Sequence, residues 1–193
     1  MSKKNVSNAA PNVNSDSEPE GASVPDFNPA DFAKVELSRL WFRAAPGIEP
    51  LYCLPLARSE NVRELYPSSY KANQHSPLHV WAVELIWSYA KQREGGIVRD
   101  GEPVEGKRGD IVFLFEPARV RDFLARSHKA QIGIALRPIG KREIKSREHG
   151  MVQAWQWEAM ANPIKLAATI DPSVLMLPTA GGAAYDMPSP DDE

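Results

Sequence analysis

The chain has 193 residues, enough for one ordinary domain, and its 42% apolar and 25% charged residues allow a buried core and exclude wholesale disorder. One cysteine, Cys53, excludes an internal disulfide, so a reducing, cytoplasmic setting is expected and Cys53 is read as a small buried hydrophobe. No stretch reaches the ~18–20 apolar residues of a membrane span, and Ser2-Lys3-Lys4-Asn5 leads into no signal-peptide core, so neither membrane insertion nor standard export is expected.

Residues 1–31 are rich in Ser, Asn, Pro, Asp and Glu, with Phe27 the only aromatic, and are expected to be a disordered acidic arm. A globular domain is expected over 32–165. Lys34 to Ala44 suits a first strand, with a bulge that brings Leu40 and Phe42 inward. Leu51 to Leu56 suits a second, placed toward an edge by Pro55. Ser76-Pro77 is a helix-start signal, and Leu78, Trp81, Ala82, Leu85 and Tyr89 follow at helical spacing up to Gly95-Gly96, so a helix is expected there. The same stretch also alternates as a strand through Trp81, Val83, Leu85 and Trp87.

Asp100-Gly101 suits a tight hairpin turn, with Pro103 keeping the returning strand at an edge. Gly109 to Phe115 is an unbroken apolar run and is expected to be a central strand. Pro117 opens a second helix with Val120, Phe123 and Leu124 inward and Arg119, Asp122 and Arg126 wet. Gln131 to Arg137 alternates as a strand, with Gln131, Gly133, Ala135 and Arg137 outward; Gly140 to Gly150 reads as an exposed basic finger or loop, and Met151 to Trp157 as a last strand. From about Leu166 the chain loses every Lys and Arg, and 166–193 is read as an acidic Pro/Gly-containing tail on which the apolar patch Val174-Leu175-Met176-Leu177 can dock back. The expected fold class is α+β: one domain with a mainly antiparallel sheet or small open barrel, about two helices, and disordered termini.

The net charge of −2 conceals a bipolar layout. Residues 119–147 hold nine cations against Asp122 and Glu143, while 166–193 hold five acids and no cation. Clustered cations release counterions from a phosphate backbone, which points to a nucleic-acid surface built from Arg119, Arg126, Lys129, Arg137, Lys141, Arg142, Lys145 and Arg147. Trp155 and Trp157, at i and i+2 beside Gln153, share a strand face on which a base can stack. The expected function is therefore a non-enzymatic accessory protein for single-stranded DNA or RNA with an acidic regulatory tail. The basic middle and acidic end are similar in plan to bacterial and phage single-stranded-DNA-binding proteins, although this chain ends in Glu193 and not in the apolar residue of those tails. The alternative is a structural or adaptor protein, for instance a virion or assembly component, whose arms bind other proteins.

Enzymatic signals are weak. His75 and His79 have i, i+4 spacing, but Pro77 sets His75 before any helix and no Cys or carboxylate completes a metal set. His128 and His149 flank the basic segment without a partner motif, and Gly181-Gly182 lacks the Lys and Ser/Thr of a phosphate loop. Gly106 to Val112 resembles the turn into a strand of cupin-like barrels, without their two-His-plus-carboxylate ligands. No catalytic residue, metal or cofactor is expected.

Overall fold

The computed structural model describes residues 39–67, 75–146 and 150–179, which all fall within one compact unit, Leu37–Glu193. The elements follow in the order β1 (Leu40–Arg43), β2 (Leu51–Arg58), β3 (Val80–Leu85), β4 (Gly96–Arg99), β5 (Glu102–Pro103), β6 (Ile111–Phe115), α1 (Arg121–Ala130), β7 (Ile132–Ser146) and β8 (Gly150–Lys165). The strands form one sheet in the spatial order β5-β4-β1-β6-β3-β2-β7-β8, antiparallel throughout except where β1 runs parallel to β6. This is the mainly antiparallel sheet expected, with one α-helix among the described residues in place of two. The expected arms lie largely outside the described residues.

The missing helix is β3. All six residues from Val80 to Leu85 are buried, because the strand sits between β2 and β6 with both faces covered. Alternation along β3 and β1 sends side chains to two separate cores. Leu40, Phe42, Trp81, Val83 and Leu85 enter one core with Leu51, Ile134, Leu136, Val120 and Leu124, which α1 closes. Trp41, Val80 and Ala82 enter the other with Val98, Phe113 and Phe115. A stretch buried on both faces shows no polar face of either period, so tertiary pairing overrides the Ser76-Pro77 start signal.

The first core also shows that the sheet is curled. Phe42 of β1 and Trp157 of β8 have ring centroids 6.3 Å apart. The two strands are five steps apart in the sheet, which would separate them by about 24 Å if it were flat. The strand order leaves β5 and β8 as its two ends.

Pro55 does not place β2 at an edge: the strand lies between β3 and β7, and its register shifts between Pro55 and Ala57. That irregularity absorbs the lost N–H, and the Pro55 carbonyl lies 3.1 Å from Nδ1 of His128 on α1. The Asp100-Gly101 turn forms as expected, both residues having positive φ, 52° and 83°, and Pro103 lies on the edge strand β5. α1 ends at Gln131 in the left-handed conformation, whose N–H bonds back to the last turn and turns the chain directly into β7.

The folded body does not stop at residue 165. The Leu166 N–H donates to the Gln131 carbonyl at 2.8 Å, and Leu175 and Leu177 pack against the second core, while Val174 and Met176 are exposed. Thr169 donates from its N–H (2.9 Å) and its hydroxyl (2.6 Å) to the carboxylate of Glu84, a buried acid of β3. The first residues of the expected tail are thus a strap across the sheet; Asp186, Asp191, Asp192 and Glu193 lie outside the described residues.

Candidate nucleic-acid interface

β7 pairs with β2 only from Ile134 to Leu136; from Arg137 to Ser146 it pairs with β8 alone. The segment expected as an exposed finger or loop is therefore the outer part of a two-stranded ribbon, roughly 30 Å long at a strand's rise per residue. Where the ribbon leaves β2 the register shifts between Pro138 and Gly140, so that Pro138 faces Trp157 and Lys141 faces Trp155. Directly opposed residues share a face, so this bulge sorts the charges. Lys141, Glu143 and Lys145 stand on the face of Trp155, Gln153 and Met151, whereas Arg137 and Arg142 stand on the other with Glu158 and Ala154. Lys141, Arg142 and Lys145 are exposed, as is Arg137 at the ribbon's base. Arg147 lies outside the described residues.

The remaining cations belong to α1 and the turn before it. Arg119, Arg126 and Lys129 are exposed, with the Arg126 Nε donating to the Asp122 carbonyl at 3.3 Å. Lys129 sits three residues before β7, and Lys145 lies up to about 43 Å further along the strand. The basic segment read as one patch is thus two groups, one on the helix at the ribbon's base and one at its outer end. Arg121 is committed elsewhere: with Arg58 it holds Glu116, whose side chain is 2% exposed. The Arg58 Nη2 and Arg121 Nε each donate at 2.8 Å and the Trp81 indole N–H at 2.9 Å. Burial pushes the Glu116 carboxyl up, but these three donors outweigh it and hold the group below the usual carboxylate range.

The two indoles expected to stack on bases are packing residues in this fold. Trp155 is only 8% exposed, with the Lys141 ammonium 5.2 Å from its ring centroid. Trp157 is partly buried against the first core through Phe42. Their strand face becomes the core face at the ribbon's base, which is why two large aromatics at i and i+2 are needed there. The expected outward row is also closed. Ala135 is buried, and a side chain at Gly133 would meet Ile86 and Leu166 within 3 Å, so no backbone can approach there.

The exposed indole is Trp87, 67% accessible just beyond β3. Sequence reasoning absorbed it into a helix or strand; its place after the apolar run, next to Ser88, was the available signal. No group of three or more His, Cys, Asp or Glu among the described residues is placed to hold a metal ion, and His128 is taken up by Pro55 and an edge-on contact with Trp81. Burial pushes the Cys53 thiol far above its ordinary range, which disfavours the reactive thiolate. No described helix is long and apolar enough to cross a membrane. No protein-family model, curated protein or solved structure matches this chain.

Proposed function

We propose that this chain is a non-enzymatic nucleic-acid-binding accessory protein whose β7–β8 ribbon follows a single-stranded phosphate backbone. The observation that supports it is the display of Lys141, Arg142 and Lys145 on both faces of a ribbon that leaves the sheet, in a stretch of sequence whose acids are Glu143, Glu148 and Glu158. A narrow basic ribbon contacts phosphates from either face, and binding of this kind is electrostatic and tolerant of sequence. Arg126 and Lys129 on α1 extend the path at the ribbon's base, and Trp155 serves by holding Lys141 in place. The acidic residues from Asp186 onward compete with nucleic acid for the same cations. A cytoplasmic location fits the buried, unbridged Cys53.

Fluorescence anisotropy of a labelled single-stranded oligonucleotide, titrated with the full chain at several salt concentrations, tests this. The expected result is binding that weakens linearly on a log–log salt plot with a slope of about −2 or steeper, since each of three or more phosphate contacts contributes about 0.7. Absence of binding at low salt, or affinity that salt does not change, contradicts the proposal. A second reading, assembly through protein contacts, is favoured by a separate acidic cleft described next.

A further inference from the structure

A cleft of about 390 Å³ opens where β2 begins and β3 ends, lined by Glu49, Pro50, Tyr52, Trp87, Ser88 and Glu105 among others. Its walls are built, not incidental. Tyr89 and Gly106 exchange backbone hydrogen bonds at 2.8 and 2.9 Å, which sets Trp87 and Ser88 beside Glu105. The Tyr89 hydroxyl donates to the Glu49 carbonyl at 3.2 Å and fixes the loop before β2. An added side chain at Gly106 would run into Ile97 and Leu85 at 2.4 and 2.6 Å, so the strap carrying Glu105 is seated directly on the first core. Tyr52 is 43% and Trp87 67% exposed, and Glu49 and Glu105 are both exposed carboxylates without an ion-pair partner among the described residues. Two aromatic faces and two carboxylates around one small cleft are the recognition chemistry of a Lys or Arg side chain: the rings take the cation on their π-faces and the carboxylates accept its N–H bonds.

We infer that this cleft receives the basic ribbon tip of a second copy of the chain. The described residues toward the tip offer the complementary charge, Lys141, Arg142 and Lys145 against Glu143. No ribbon cation lines the cleft of its own chain among the described residues. Leu51, the buried residue between the lining residues Pro50 and Tyr52, pairs with Leu136, and Lys141 and Lys145 lie five and nine residues, about 17 and 30 Å of strand, further along the hydrogen-bonded ribbon. Docking therefore occurs between copies, tip to cleft. Because the two surfaces differ, the contact is head-to-tail and repeats into a ring or an open chain of subunits, not a closed symmetric dimer. Nucleic acid on the tip and docking of the tip compete.

Sedimentation velocity on nuclease-treated, nucleic-acid-free full-length protein tests this at low and raised salt. The parent is expected to form species larger than a dimer at low salt as concentration rises, and to dissociate in raised salt. A cleft variant, E49Q/E105Q/W87A, and a tip variant, K141E/R142E/K145E, each stay monomeric over at least a tenfold wider concentration range, with unchanged far-UV circular dichroism. The deciding result is their equimolar mixture: the intact tip of one docks in the intact cleft of the other and forms a heterodimer that grows no further. A parent that stays monomeric at low salt, a cleft variant that associates like the parent, or a mixture that stays monomeric overturns the inference. At concentrations where the parent is monomeric the cleft variant keeps the parent's oligonucleotide affinity, so absence of oligonucleotide binding in both reports only on the nucleic-acid proposal.

Discussion

The sheet body and the outer ribbon treat charge in opposite ways. In the body, the buried acids among the described residues have partners: Glu116 is held by Arg58, Arg121 and Trp81, and Glu84 by the backbone and hydroxyl of Thr169. Beyond Pro138 the ribbon pairs, among the described residues, only with its own second strand, and Lys141, Arg142 and Lys145 are exposed. The first arrangement makes charge part of the fold, since a buried ion without partners is costly; the second leaves charge free to meet a ligand. On the proposed function, stability and recognition fall to different parts of the molecule.

That comparison breaks most readily in the body. Leu124→Ala removes a fully buried side chain that seals α1 onto the first core, and a loss of about 2–5 kcal/mol is expected in chemical denaturation. Glu116→Ala leaves Trp81 without its acceptor and Arg58 and Arg121 without their counterion. Because both arginines are partly exposed, the expected loss is smaller, about 2–3 kcal/mol. Thr169→Val removes the hydroxyl donor and leaves the buried Glu84 carboxylate only the backbone N–H of residue 169, which loosens the strap at a cost of about 1–3 kcal/mol, with faster proteolysis beyond residue 165.

Acid sharpens the same contrast. The folded-state pKa of Glu116 is depressed, so its stabilisation is fully present above the ordinary Glu value of about 4.3 and is lost as pH falls through that value toward the folded one. The parent's melting temperature is therefore expected to drop more steeply below about pH 5 than that of Glu116→Gln, and parallel curves would show that the network adds nothing. The smallest effect is at Cys53, which is expected to stay unmodified by a thiol reagent in the native protein and to react fully in denaturant.

Much of the architecture was legible where local chemistry and tertiary placement agree. The Asp100-Gly101 turn needs positive φ, α1 has one apolar stripe, and Ile111–Phe115 is too apolar for anything but an interior strand, so these elements are expected and found. At Val80–Leu85 the strand alternative holds and the expected helix does not, because burial on both faces erases periodicity and leaves the Ser76-Pro77 signal to favour a helix. Trp155 and Trp157 show the same limit: alternation places them on one face, but whether that face is core or surface depends on the curl that brings Trp157 to Phe42. The basic segment was visible as composition, yet its division between α1 and the ribbon follows from where β2 stops, which no local pattern encodes. The aromatic and acidic cleft joins residues near 50, 87 and 105, too far apart in sequence to be seen together.

The most direct test of this division is a paired measurement on K141E/R142E/K145E: stability by denaturant titration, and oligonucleotide affinity as a function of salt. The expected result is unfolding free energy within about 0.5 kcal/mol of the parent, because the substitutions are exposed, together with loss of about 2 from the magnitude of the salt slope. Unchanged affinity and slope, or a stability loss as large as that of Leu124→Ala, would contradict the assignment of recognition to the ribbon and of stability to the body.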